Sequence, residues 1–207
     1  LPDFPRAARQ DAVATGALPY GVNLVGYLSG ELGLGVAARR MITAIEAAGI
    51  PCATVSYDRT SSRQRQPAER VVDAPYRYNL LLITPDQLPY FVEDVGIGFL
   101  ADHYNIGLWY WETDILTPRQ VSSFAWVDEV WGATQYLCGV FDAYDRVPVR
   151  YVPVPLVFED PQIVDGDRER LGLDDRFTVL FSFDFLSVVE RKNPMGLIEA
   201  FCKAFEP

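Results

Sequence analysis

Gly21-Val-Asn-Leu-Val-Gly-Tyr-Leu28 runs into Ser29-Gly-Glu-Leu-Gly-Leu-Gly35, and apolar side chains then recur at helical spacing at Leu34, Ala37 or Ala38, Met41, Ile45 and Ala48. A short buried strand, a glycine loop and an amphipathic helix are read in that order. Gly49 is placed to end the helix, and Cys52-Ala-Thr-Val-Ser-Tyr57 reads as the next strand.

The alternation continues along the chain. Tyr78-Asn-Leu-Leu-Leu-Ile-Thr84 has the unbroken apolar run of a strand covered on both faces. Asp86 to Phe99 reads as helical in part, and Tyr104-Asn-Ile-Gly-Leu-Trp-Tyr-Trp111 as a strand. Thr117 caps a helix that has Pro118 in its first turn. Glu129 to Thr134 is a strand, a helix follows to about Tyr144, and Val149-Arg-Tyr-Val-Pro153 closes the series. Strands alternating with helices predict an α/β fold, a Rossmann-like, doubly wound parallel sheet. Asp58 to Ala74 is polar and reads as a mobile loop.

Residues 1–20 read as a surface lead-in and 21–155 as the first domain. The segment 156–207 reads as a linker followed by the start of a second α/β unit. There, Phe177-Thr-Val-Leu-Phe-Ser-Phe183 is expected to be a buried strand. A polar loop with Arg191 and Lys192 follows it, and a helix starts at Pro194. Two cations beside a helix start, on the carboxyl side of a strand, suit an anionic ligand. Leu1 is not an initiator Met, and the second unit has one strand and one helix. The 207 residues are therefore expected to be a piece of a longer protein, with the site begun here incomplete and inactive by itself. A strand so apolar is expected to seek the first domain or a neighbouring chain, by strand or domain exchange.

Composition narrows the function. Apolar residues make up 49% and the formal charge is −10. An acidic chain is a poor ligand for nucleic-acid phosphates, so no nucleic-acid partner is expected. Cys52, Cys138 and Cys202 are too far apart for a disulfide framework or a metal cluster. They read as buried thiols of a reducing, cytoplasmic compartment. His103, the one histidine, reads as structural rather than as a base. Asp165-Gly-Asp167 imitates a metal-binding D-x-D, but a solvated linker with a helix cap is the better reading. No metal is expected.

Gly30, Gly33 and Gly35 stand between a strand and a helix, where backbone can approach a phosphate or sugar; they also serve tight packing. Their order, G-x-x-G-x-G, is not the dinucleotide fingerprint. In Trp109-Tyr-Trp-Glu-Thr-Asp114, aromatic faces for sugar C–H surfaces precede carboxylates for hydroxyl groups. Glu112 is the candidate catalytic residue.

Three stretches together resemble a known family. They are Gly21–Gly35; Tyr104–Glu112 with Asp128-Glu-Val-Trp-Gly132; and Glu190-Arg-Lys-Asn-Pro-Met-Gly-Leu-Ile-Glu-Ala-Phe201. The chain resembles the GT-B-fold glycosyltransferases of the retaining, group 1 (family 4) kind. The resemblance implies two Rossmann-like domains, a nucleotide-sugar donor held mainly by the second, and no metal or other cofactor. It also implies a saccharide or lipid-linked acceptor on the first domain's side, and with it a peripheral membrane surface as a possible partner. Lys192 matches the family's diphosphate-binding lysine. Ser187 stands near the usual place of the partner arginine, so Arg191 substitutes for it or the role is absent. The family's later glutamate motif would fall beyond Pro207. The family's mid-domain histidine has no clear match; Glu112 lies nearer its place than His103. The alternatives are a dehydrogenase-type nucleotide-binding protein, with Asp58 on a ribose, and a non-catalytic binding module.

Overall fold

The computed structural model describes residues 16, 18–67, 73–156, 166–185 and 187–205. The chain divides into two compact units, Leu1–Val157 and Phe158–Pro207. Most of the expected lead-in, Arg70, the linker from Glu159 and Asp165 lie outside the described residues.

The first unit is built on a six-stranded, all-parallel sheet: β1 (Val22–Gly26), β2 (Cys52–Ser56), β3 (Tyr78–Leu82), β4 (Tyr104–Trp109), β5 (Glu129–Gly132) and β6 (Val149–Tyr151). The spatial order is β2-β1-β3-β4-β5-β6. The expected α/β, Rossmann-like parallel sheet is therefore present. Connections leave β1 in both directions, so the order reverses between β1 and β3, where α/β sheets open a ligand crevice at the strands' carboxyl ends.

Neighbouring apolar residues on each strand serve opposite faces. Leu24, Leu80, Leu82, Ile106 and Leu108 meet Ala37, Ala38, Met41 and Ile45 of α1 (Gly33–Ala47). Val25, Val55, Leu81, Trp109 and Val130 face the other way. They pack on α2 (Leu88–Val95), α3 (Gly98–Ala101), the 3₁₀ turn Ser123–Trp126 and α5 (Gln135–Asp142). The short α4 (Pro118–Ser122) leads into that turn. Gln120 accepts a hydrogen bond from the Thr117 backbone N–H at 2.7 Å, fixing the start of α4.

One row crosses the sheet that apolar patterning does not account for. Asn23, Asn79 and Asn105 pair in register on β1, β3 and β4, all fully buried. The Asn23 amide donates to Asn79 Oδ1 at 2.8 Å, and the Asn79 amide donates to Asn105 Oδ1 at 2.9 Å. The remaining amide hydrogens go to the backbone carbonyls of Tyr76, Phe99, Leu100 and His103. Asp128, also fully buried, ends the row by accepting from the Asn105 backbone N–H at 2.9 Å.

The second unit departs from expectation. Its helices are α6 (Asp167–Arg170), α7 (Val189–Lys192) and α8 (Pro194–Ala204). Phe177–Phe183 is not a buried strand: it pairs with no strand among the described residues, and Leu180 is 90% exposed. An extended segment needs a neighbouring strand to satisfy its backbone, and no other described segment of this unit supplies one.

The asparagine row generates a prediction. Asn79→Leu removes both partners' contacts at once, leaving one buried N–H of Asn23 and the Oδ1 of Asn105 unpaired. Stability measured by urea unfolding should fall by roughly 3 kcal/mol. A loss below about 0.5 kcal/mol would show that the row contributes little.

Candidate functional site

At the carboxyl edge of the sheet, the chain clasps its own glycine loop. The Gly30 N–H closes a turn onto the Tyr27 carbonyl at 3.0 Å. Arg39 of α1 donates to the Leu28 and Gly30 carbonyls at 2.9 and 3.2 Å. The segment after β2 then lies antiparallel across the loop, with Gly30 bridged to Gln64. Glu31 N–H donates to Arg63 O at 2.7 Å, and Gln66 N–H to Ser29 O at 3.1 Å. Asp58 accepts from the Ser29 and Ser56 hydroxyls at 3.0 and 2.9 Å. Part of the expected mobile loop is thus a strap with defined bonds. The Asp58 carboxylate thus ties the loop after β1 to the end of β2.

The three glycines have different roles. A Cβ on Gly35 would lie 2.6 Å from the carbonyl oxygens of both Tyr27 and Gly30. That glycine is needed for the helix to seat on the loop. Gly30 is buried in the turn. Gly33, first in α1 and exposed, has nothing within 4 Å of a Cβ position and is the glycine open to a ligand.

The loop after β4 leaves the same edge, since β1 and β4 are parallel with β3 between them. Two sheet spacings put these loops roughly 10 Å apart at their strand ends. Trp109, expected as a sugar platform, is instead fully buried. It packs edge-on against Phe124 and Phe141 at 5.0 and 5.6 Å. Its ring stands over Gly107, where a Cβ would collide with Nε1 at 2.5 Å. Tyr110 is half-buried, and burial raises its pKa. Trp111 is half-buried, its indole N–H donating to Thr113 Oγ1 at 2.9 Å and Ile115 O at 3.1 Å. Glu112 and Asp114 are exposed on this turn. The loop's far end is pinned where Leu116 N–H donates to the Tyr144 hydroxyl at 2.7 Å.

Arg191 and Lys192 lie in the helical turn α7, not in a loop, with Arg191 exposed and Lys192 half-buried. Asn193 joins α7 to α8 with a left-handed φ of 49°, which Asn tolerates better than most residues. Its side chain accepts from Gly196 N–H at 3.2 Å, so the start of α8 carries its own cap. The cations stand directly before the Asn193 cap of that helix.

His103 is buried at the amino end of β4, stacked on Phe99, with Nε2 2.8 Å from the Ala74 carbonyl. It lies at the opposite edge from the loops above. Cys202 is exposed and Cys52 and Cys138 are half-buried, which corrects the expectation of three buried thiols. Burial still pushes the thiols of Cys52 and Cys138 up. Among the described residues no three His, Cys, Asp or Glu side chains gather as a metal site, and no helix is long and apolar enough to cross a membrane.

The glycine geometry separates packing from openness in a measurable way. Gly35→Ala should lose about 2 kcal/mol or more in chemical denaturation, because backbone oxygens cannot swing aside. Gly33→Ala should stay within about 0.5 kcal/mol of the parent. Equal effects would mean that close approach is not what selects glycine at position 35.

No protein-family model matches the chain, and no curated protein matches it.

Proposed function

We propose that the protein containing this chain is a retaining glycosyltransferase that moves a sugar from a nucleotide-sugar donor to a saccharide or lipid-linked acceptor. The observation that carries the reading is the shared edge. Gly33 at the start of α1 and Glu112 after β4 leave the same carboxyl edge of a parallel sheet, beside the point where the strand order reverses. Support also comes from the Glu190-Arg-Lys-Asn-Pro-Met-Gly sequence, with its half-buried lysine directly before a helix cap.

In this reading the first unit receives the acceptor. The exposed Glu112 accepts hydrogen bonds from its hydroxyl groups, and the open backbone at Gly33 lets a polar group approach closely. Lys192 binds the donor diphosphate as a point charge, with Arg191 supplying a planar fork. As the glycosidic bond to the diphosphate breaks, negative charge grows on the leaving oxygen. A fixed cation there lowers the barrier more than it stabilises the bound donor. The acceptor hydroxyl oxygen bonds the anomeric carbon on the face the diphosphate leaves, and its proton passes to the departing diphosphate oxygen; no metal ion is assigned to the step.

The test uses the protein containing this chain together with its natural flanking sequence. Calorimetric titration with a panel of nucleotide sugars should find one that binds. Product analysis by NMR should show the donor's anomeric configuration retained. Lys192→Ala should reduce kcat/KM by at least ~100-fold, the scale of losing one donor aimed at developing charge. A folded variant with an unchanged rate would remove Lys192 from the mechanism, and binding of no nucleotide sugar would sink the reading.

A further inference from the structure

A second set of cations gathers at the carboxyl edge of the first unit, on residues with no role in the donor chemistry above. Arg59 follows β2, Tyr90 lies in α2 after β3, and Arg119 lies in α4 after β4. The guanidinium carbons of Arg59 and Arg119 both sit over the Tyr90 ring, 4.3 and 4.0 Å from its centroid. Three separate connections therefore converge on one aromatic ring.

Like charges do not collect by themselves. The ring's electron-rich face attracts each guanidinium and offsets part of the repulsion between them. One carboxylate serves the pair. Asp94 lies 3.5 Å from Arg59 and both are half-exposed, whereas among the described residues no carboxylate is within ion-pair distance of the exposed Arg119.

Beneath them lies Tyr57, 6% exposed, with its hydroxyl beside Arg59 and Asp94. Two guanidiniums thus meet one carboxylate within ion-pair distance among the described residues. In a chain of net charge −10, such a concentration of donors is unlike its surroundings.

We propose that Arg59 and Arg119, clamped on Tyr90, form a binding site for a phosphate-bearing ligand. Two guanidiniums held at one ring offer several N–H donors, which match the several oxygens of a phosphoryl or diphosphoryl group better than a carboxylate. The ring supplies rigidity that two free arginine side chains lack, so less side-chain freedom is lost on binding. The phosphate can belong to a soluble molecule or to a lipid headgroup.

The test titrates the 207-residue chain with inorganic pyrophosphate at low ionic strength. In parallel, the chain is sedimented with phosphatidylcholine vesicles, with and without phosphatidic acid. The parent chain should bind, and added salt should weaken binding. Arg119→Ala and Arg59→Ala should each weaken it by about tenfold or more. Tyr90→Leu, which keeps both cations but removes the ring, should weaken it several-fold, with circular dichroism confirming the fold. Arg176→Ala, which removes an exposed arginine of the second unit, should bind like the parent chain. Binding to pyrophosphate alone assigns the site to a soluble phosphate; binding to phosphatidic acid vesicles alone assigns it to a headgroup. Failure to bind either probe overturns the proposal. So does Arg119→Ala binding like the parent, or Arg176→Ala losing the binding.

Discussion

The buried row Asn23–Asn79–Asn105–Asp128 fixes what the rest of the first unit depends on. Its strands are apolar on both faces, so a slip between neighbours would still leave Leu against Leu and Ile against Leu. Hydrophobic patterning alone therefore discriminates weakly between registers. An amide row is different. Each of the three side-chain amides donates twice, and each accepts from its neighbour or from the backbone. A slip of two residues would strand most of those groups without water, at a cost of roughly 1–3 kcal/mol apiece. The row therefore selects one register among several of similar apolar contact.

This constraint acts near the amino ends of the strands, and its consequence appears at the other end. With register fixed, the strands finish in fixed relation, and the loops leaving β1, β2, β3 and β4 meet in one set of positions. Ser29 and Asp58 come within 3.0 Å, and Arg59 and Arg119 reach the same Tyr90 ring. Loops on a rigid scaffold can hold chemistry that mobile loops cannot. The amino edge, by contrast, is closed by bonds such as His103 to the Ala74 carbonyl, and it offers packing more than reactivity.

The layered fold was legible because parallel strands buried on both faces leave unbroken apolar runs, and α1 carries a regular apolar stripe. The asparagines were not legible as a row. Each reads as one polar interruption near a strand start, and only the pairing brings them together. At the edge, three glycines in one loop are equivalent as letters. Whether a Cβ meets Tyr27 and Gly30 oxygens or open space depends on how α1 seats, which no local pattern encodes. Trp109 failed as a sugar platform for a related reason. Strand alternation says that it faces the opposite way from Leu108, not whether Phe124 and Phe141 cover it. Phe177–Phe183 shows the limit from the other side: apolar β-branched and aromatic composition describes what a segment can pair with, and pairing still needs a second strand.

The two sets of cations differ physically in a way that bears on what each can bind. Lys192 and Arg191 sit on one short helical turn, so their spacing is local and the backbone sets it. Arg59 and Arg119 come from connections 60 residues apart in sequence and are brought together by a ring. Against a background of 28 acidic and 18 basic side chains, neither set gains from the field of the whole molecule. At physiological ionic strength that field is screened beyond about 8 Å, so only groups in direct reach of a ligand count. A site on such a chain must therefore work by contact geometry, and planar guanidiniums held on an aromatic face supply that geometry with little freedom to lose. The acidic surroundings then act on selection. They disfavour extended polyanions, whose remaining charges would lie against carboxylates, and they leave small phosphate-bearing ligands as the class that such a site can hold.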